Sequence, residues 1–259
     1  MPKAAGDGPH RADDDGGVFG AMQELTLFSW TNGWGRELAD GLAVTILLAS
    51  LSFVLGTAVG LLGAIGEMSS RRLLAAPLAT YAAVLRSLPE LLIIFLVYYG
   101  GGFAVQALVS AFGFSAQLEV PPFAAGVVAL SLIHGAYVSE VFHGAFLAVP
   151  TGAIEAARAL GLRPRLLFWI VRLPIAARLA LPGLANLWMV LIKNTPLVSA
   201  IGLLDLVRAA ATAGENTKHF FTFYGSVLVA YLVLSGGTMI VQGAIERRAH
   251  RHLGTVLPS

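Results

Sequence analysis

Arg86 and Glu90 stand four residues apart in the apolar run LRSLPELL, with Pro89 between them. A charge at the centre of such a run costs about 3 kcal/mol if the run crosses a membrane, unless the charge is paired or wet. If helix persists, residues at i and i+4 share a face, and the two side chains form a buried ion pair. Pro89 would bend that helix and free a carbonyl, and a polar bend of this kind could line a path for a solute. Lys193-Asn194-Thr195-Pro196 is a second polar kink in apolar surroundings. Its lysine either snorkels or pairs to steady the packing, or it lines or gates a path. Glu140 and Asp205 are acids near the ends of apolar runs. Such an acid is either solvated or placed to meet an ammonium or guanidinium group. His134, alone in its run, reads as a hydrogen-bonded packing residue. Gly56-x-x-x-Gly60 reads as a helix-packing pair. There is no H-E-x-x-H, no G-x-S-x-G and no cysteine. The chemistry on offer is reversible contact with charged groups, and no catalytic residue, metal or cofactor is assigned.

The elements that must carry these residues follow from composition. Of 259 residues, 56% are hydrophobic and 12% charged, where a soluble domain has about 25% charged. Mean hydropathy is +0.75. The formal net charge of +2 argues against a nucleic-acid partner. With 29 glycines in so apolar a chain, the class is packed transmembrane helices, an all-α integral membrane protein.

A span needs about 20 mostly apolar residues. Five segments qualify: Gly41 to Gly66, Leu73 to Tyr99, Val120 to Ser139, Leu179 to Leu204 and Phe221 to Ile245. Gly100-Gly101-Gly102 is expected to break the second, leaving a short helix or loop at the membrane surface as far as Leu118. Residues 1–23 read as a disordered tail without an apolar signal core, 24–250 as the membrane domain and 251–259 as a second tail. Trp30, Trp34 and Phe28, mixed with Arg36, Glu37 and Asp40, suit a segment at the membrane interface. Ten Lys and Arg fall on one side of the five spans and five on the other. The positive-inside rule then puts the C-terminus in the cytoplasm and the N-terminus outside.

One loop is long, from about 144 to 178. Pro150-Thr151 starts a helix in which Ile154, Ala157 and Leu160 recur at helical spacing. Gly161 suits a left-handed stop. A second helix from Pro164 is expected to end at Leu173-Pro174. The product is a helix–Gly–helix knuckle on the cytoplasmic side, where the small Ala156 and Ala157 permit close approach of another backbone. From spacing alone, a plain solvated connection reads equally well.

The order Glu155-Ala156-Ala157-x3-Gly161-x9-Val171-x-Leu173-Pro174 resembles the EAA loop of ATP-binding-cassette (ABC) importer permeases, with Val171 where Ile is usual. Gly135 to Phe142, Lys193 to Ser199 and Gly202 to Asp205 are similar to flanking runs of the polar amino acid permeases. Arg86-Ser87-Leu88-Pro89-Glu90 resembles their second-span Arg-x-x-Pro motif, and an acid after that proline is similar to the Q-type subunits of histidine, basic amino acid and opine importers. The resemblance implies type I importer architecture in a bacterial inner membrane. It further implies a second permease, more often a different chain, that completes the solute path. A cytoplasmic ABC ATPase dimer would dock on Glu155, Ala156, Ala157, Gly161, Leu173 and Pro174, and an extracytoplasmic binding protein would deliver solute. Arg86, Pro89, Glu90, Glu140, Lys193, Asn194, Thr195 and Asp205 become candidates for the path. The chain has no G-x-x-x-x-G-K-[ST] loop, so ATP would be held by the partner. The expected cargo is a cationic or zwitterionic amino acid, or a derivative such as an opine.

Two other classes stay in play at this level. An intramembrane enzyme lacks its usual residues here. An autonomous secondary carrier often has paired broken helices, and the second and fourth spans each carry a charge and a proline; five spans, however, do not divide into equal halves.

Overall fold

In a computed structural model, the protein is described over residues 26–29, 33–69, 71–111 and 120–251. The expected N-terminal tail, the residues 252–259 and part of the interfacial segment lie outside these residues. Every element is helical: α1 (Gly35–Glu67), α2 (Arg72–Ser87), α3 (Glu90–Phe95), α4 (Gly101–Ala111), α5 (Pro122–Leu147), α6 (Thr151–Ala159), α7 (Pro164–Leu167), α8 (Leu173–Asn194), α9 (Leu206–Thr217) and α10 (Phe220–Arg251). A π turn, Leu96–Gly100, joins α3 to α4, and another, Phe168–Arg172, joins α7 to α8. α8 runs on as a 3₁₀ turn, Thr195–Ile201.

Five stretches are long and apolar enough to cross a membrane: Gly35–Glu67, Glu90–Ala107, Pro122–Leu147, Pro164–Ile201 and Phe220–Ala244. The number is as expected, but two are displaced: the second begins at Glu90 rather than Leu73, and the fourth at Pro164 rather than Leu179, because the chain stays helical through Leu173-Pro174. The chain breaks at Leu88 and Pro89, both extended, with ψ 147° and 131°. A residue before proline is pushed out of the α region, which ends α2 there. Helix then passes straight through Gly100-Gly101-Gly102, where a break was expected. Glycine weakens a helix by about 1 kcal/mol where water can take the freed backbone groups; in hydrocarbon nothing else can bond them, and the helix persists. Leu173-Pro174 likewise ends nothing. The π turn before it shifts the hydrogen-bond register, and Pro174 sits in the first turn of α8, where its missing N–H goes unused.

α5 is the axis of the fold. Of its most apolar window 72% is buried, against 28% for α1 and 6% for α10, so α5 is wrapped by protein and α10 is peripheral. α1 approaches α5 through glycines. A Cβ on Gly60 would stand 2.6 Å from the Gly135 carbonyl oxygen and 2.5 Å from the Val138 Cβ. One on Gly56 would meet the Ser131 carbonyl oxygen at 2.9 Å. The Gly56/Gly60 pair therefore packs helices, as its spacing suggested. One cluster around α5 takes in Leu48, Ile93, Ile94, Leu130, Leu191 and Val198; a second takes in Ala64, Phe142, Phe146, Ala176 and Ala180. A third joins α1, α9 and α10 through Leu38, Ala210 and Phe223.

Candidate functional site

The break at Leu88-Pro89 decides how the charges pair. Arg86 and Glu90 lie on different helices, so the shared face required for an Arg86–Glu90 pair does not exist. The Arg86 Nη1 instead donates to Glu140 Oε2 on α5 at 2.6 Å, and its Nε donates to the Ala82 carbonyl at 3.1 Å. Glu140 is therefore paired rather than merely solvated. Its partner is 54 residues away in sequence, which no local spacing reveals.

Glu90, half-buried at the start of α3, has no ion pair among the described residues. Neither has Lys193, exposed in the last turn of α8. They stand beside the Pro89 and Pro196 kinks; Glu37, Arg165 and Arg178 also lie within the spans without an ion pair among the described residues. The α3 residues Ile93 and Ile94 pack with Val198 and Ile201 of the 3₁₀ turn that follows Lys193 and Asn194. The two polar kinks are thus carried by elements that touch. Pro89 is exposed at one kink and Asn194 half-buried at the other.

Thr195 and Asp205 are fully buried. Thr195 Oγ1 donates to the Ile192 carbonyl at 2.8 Å and lies 3.1 Å from the Tyr231 hydroxyl of α10. Asp205, expected as an acid at a span end, caps α9: its Oδ1 accepts from the Arg208 N–H at 2.9 Å. Burial pushes its carboxyl up from the ordinary range, opposed by the backbone N–H groups of Arg208 and Val207. Beside it the Leu206 N–H donates to Thr45 Oγ1 at 3.2 Å, which fixes α9 to α1. His134 packs, as expected, with its ring 5.0 Å from Phe53. Its Nε2 has no hydrogen-bond partner among the described residues.

The knuckle is built from α6, Gly161 and α7. Gly161 has φ +76°. Its N–H donates to the Arg158 carbonyl at 2.9 Å, and the Leu162 N–H donates to the Ala157 carbonyl at 3.2 Å. This is the paired closure of a Schellman stop, which needs a left-handed residue at that position. Glu155 and Ala156 are exposed on α6, Ala157 is buried beneath them, and Leu160 is 82% exposed at the tip. The base is aromatic: Phe168 stacks on Phe146 of α5 at 5.7 Å, and the Arg172 guanidinium lies 5.8 Å over the Phe146 ring. Leu173, half-buried, joins the cluster around Phe142 and Phe146, while Pro174 is exposed. Sequence reasoning missed Glu67, the last residue of α1, which accepts from Ser139 Oγ at 3.1 Å. An acid closing a charge-free apolar run was the available signal.

Residues 56–251 match the family of binding-protein-dependent transport system inner membrane components. The chain is 44% identical over 217 residues to the nopaline transport system permease protein NocQ of Agrobacterium fabrum, covering 82% of this chain and 91% of that one. It is 37% identical over 219 residues to the histidine/lysine/arginine/ornithine transport system permease protein HisQ of Escherichia coli, covering 83% and 94%. Among solved structures it is similar to a crystal structure of an amino acid ABC transporter with histidines, with TM-score 0.72, 30% identity and coverage of 89% and 98%.

Proposed function

The chain belongs to the family of binding-protein-dependent transport system inner membrane components, and from that premise we propose that it is the Q-type permease subunit of an ATP-driven importer for polar, chiefly basic, amino acids or opines. The observation that carries the finer reading is the knuckle on Gly161. Its rigid stop presents Glu155, Ala156 and Leu160 outward from a base anchored on α5. A coupling element needs that combination, because force applied to the tip must reach the helices that line the path. The partners are a cytoplasmic ABC ATPase dimer on the knuckle, an extracytoplasmic binding protein and a second permease, with the N-terminus outside and the C-terminus in the cytoplasm. Glu90 and Lys193 fit the cargo: an acid for an ammonium or guanidinium, a base for a carboxylate, on elements that pack together. Contacts of this kind must stay weak, because a path has to release what it admits. Reconstitution in proteoliposomes with candidate ATPase, permease and binding-protein partners tests the proposal. ATP-dependent uptake of basic amino acids or opines is expected. Uptake driven by an ion gradient without the ATPase would overturn it in favour of a secondary carrier.

A further inference from the structure

Among the buried polar atoms without a hydrogen-bond partner in the described residues is the His143 Nδ1, which faces an acid where α1 ends against α5. Glu67 is the last residue of α1, and its side chain is 13% exposed. Its Oε1 accepts from Ser139 Oγ at 3.1 Å, so one oxygen is fixed on α5. Its Oε2 faces the His143 Nδ1 at 3.7 Å, one turn further along α5. That nitrogen is buried and has no hydrogen-bond partner among the described residues. An imidazole held just outside hydrogen-bond distance of a fixed carboxylate has two states. Neutral, it gains little from the contact. Protonated, it is drawn to the carboxylate and ties α1 to α5.

The other charges around the pair are committed or turned outward. On α5, Glu140 holds Arg86 of α2. On the π turn before α8, Arg172 donates to the Phe146 carbonyl at 3.4 Å and covers the Phe146 ring. Arg178 of α8 is exposed, as are Arg71 and Arg72 at the start of α2. Glu67 is the one acid among the described residues within ion-pair distance of His143. His143 precedes the knuckle by one turn of the same helix and its short exit, and Phe142 and Phe146 on either side of it pack against α8. A tie at this point sets how freely the knuckle-bearing end of α5 moves against α1.

We propose that Glu67 and His143 form a proton-operated latch between α1 and α5, closed when the imidazole is charged, that slows transport as the knuckle-side pH falls. The effect on transport rests on the importer reading above; the latch itself does not. A double-mutant cycle with Glu67→Gln and His143→Gln, read as thermal unfolding of the full chain in detergent, tests the latch. With one measurement at acid and one at alkaline pH, a coupling of about threefold in the unfolding equilibrium is expected at the acid value, as for a partly exposed ion pair, and none at the alkaline value. His143→Arg, which keeps a charge at both values, should retain its coupling to Glu67 at both. Equal coupling at the two pH values in the wild-type cycle, or none at either, overturns the latch even if Glu67→Gln alone is destabilising through Ser139. In the reconstituted transporter, acidifying the knuckle side should slow uptake by the wild type and leave His143→Gln unaffected. Identical pH profiles for the two overturn the regulatory role, whereas loss of all ATP-driven uptake in the wild type would indict the importer reading.

Discussion

At the scale of the residue, the charges divide by whether another side chain answers them. Arg86 and Glu140 satisfy each other across α2 and α5. Removing either one leaves a charge stranded against apolar helices, and removing both does not. Arg86→Gln and Glu140→Gln should each lower thermal stability in a bilayer or nanodisc, by about 1 kcal/mol or more, and the double variant should recover most of the loss. Additive losses would mean that the pair is not the reason for either residue. Glu90 has no such partner, so Glu90→Gln should leave stability within about 0.5 kcal/mol of the parent. The same variant should reduce uptake of basic more than neutral substrates at equal expression. Unchanged uptake of both would remove Glu90 from the path. Asp205 is a different case, a buried cap. Asp205→Ala should cost about 1 kcal/mol, while Asp205→Asn keeps the acceptor. Because burial raises the folded carboxyl, the folded state holds the proton more firmly than the unfolded chain. Stability is greatest below the ordinary carboxylate range and falls as pH rises through the raised folded value. The asparagine variant should lose that slope, which a series of melting points across the mildly acid range would register.

At the scale of the element, what the sequence revealed depended on whether the cause was local. The count of long apolar runs and the stop at Gly161 are local in cause, and both are as expected among the described residues. The place of the second span was not legible. Glycine's weakness in helices is a property measured in water, and α4 begins inside the Gly100–Gly102 run because its surroundings offer no other hydrogen bonds. The break fell at Leu88-Pro89 instead, where the proline ring constrains its neighbour in any solvent. Of the candidate site, the sequence shows which charges stand in or beside apolar runs, and does not show their pairing. Arg86 meets Glu140, and Glu67 meets Ser139 across 72 residues, only once α1, α2 and α5 have packed. The Gly161 stop yields its own expectation. No atom lies within 4 Å of a Cβ built there, so the penalty is purely the left-handed backbone, φ +76°. Gly161→Leu should cost about 1–2 kcal/mol locally and redirect α7, with membrane insertion unaffected. ATPase association or coupled uptake should fall several-fold, and normal ATP-driven uptake by this variant would contradict a coupling role for the knuckle.

At the scale of the whole molecule, the distribution of burial argues for a second subunit. α5 is enclosed, but only 11% of the Glu90–Ala107 span and 6% of the most apolar part of the Phe220–Ala244 span are buried within the chain. Lipid can cover apolar side chains such as Phe103 and Leu232, which are 78% and 63% exposed. It cannot cover the free charges Glu90 and Lys193 or the open backbone at Leu88-Pro89 without a cost of about 3 kcal/mol per charge. Non-helical backbone at membrane depth persists only where protein buries it or it lines a water-filled cavity. A second permease facing these kinks, as proposed above, would enclose such a cavity. The Q-type resemblance favours a different chain as the partner over a second copy. Co-purification from cells that carry the neighbouring genes should therefore recover this chain with a second permease and an ATPase in a fixed ratio. Cross-linking from a cysteine placed at Lys193, in a chain that has none of its own, should capture that second permease. A stable, transport-competent assembly of this permease and its ATPase alone would show that two copies suffice, and would overturn the hetero-pair while leaving the need for a facing surface intact.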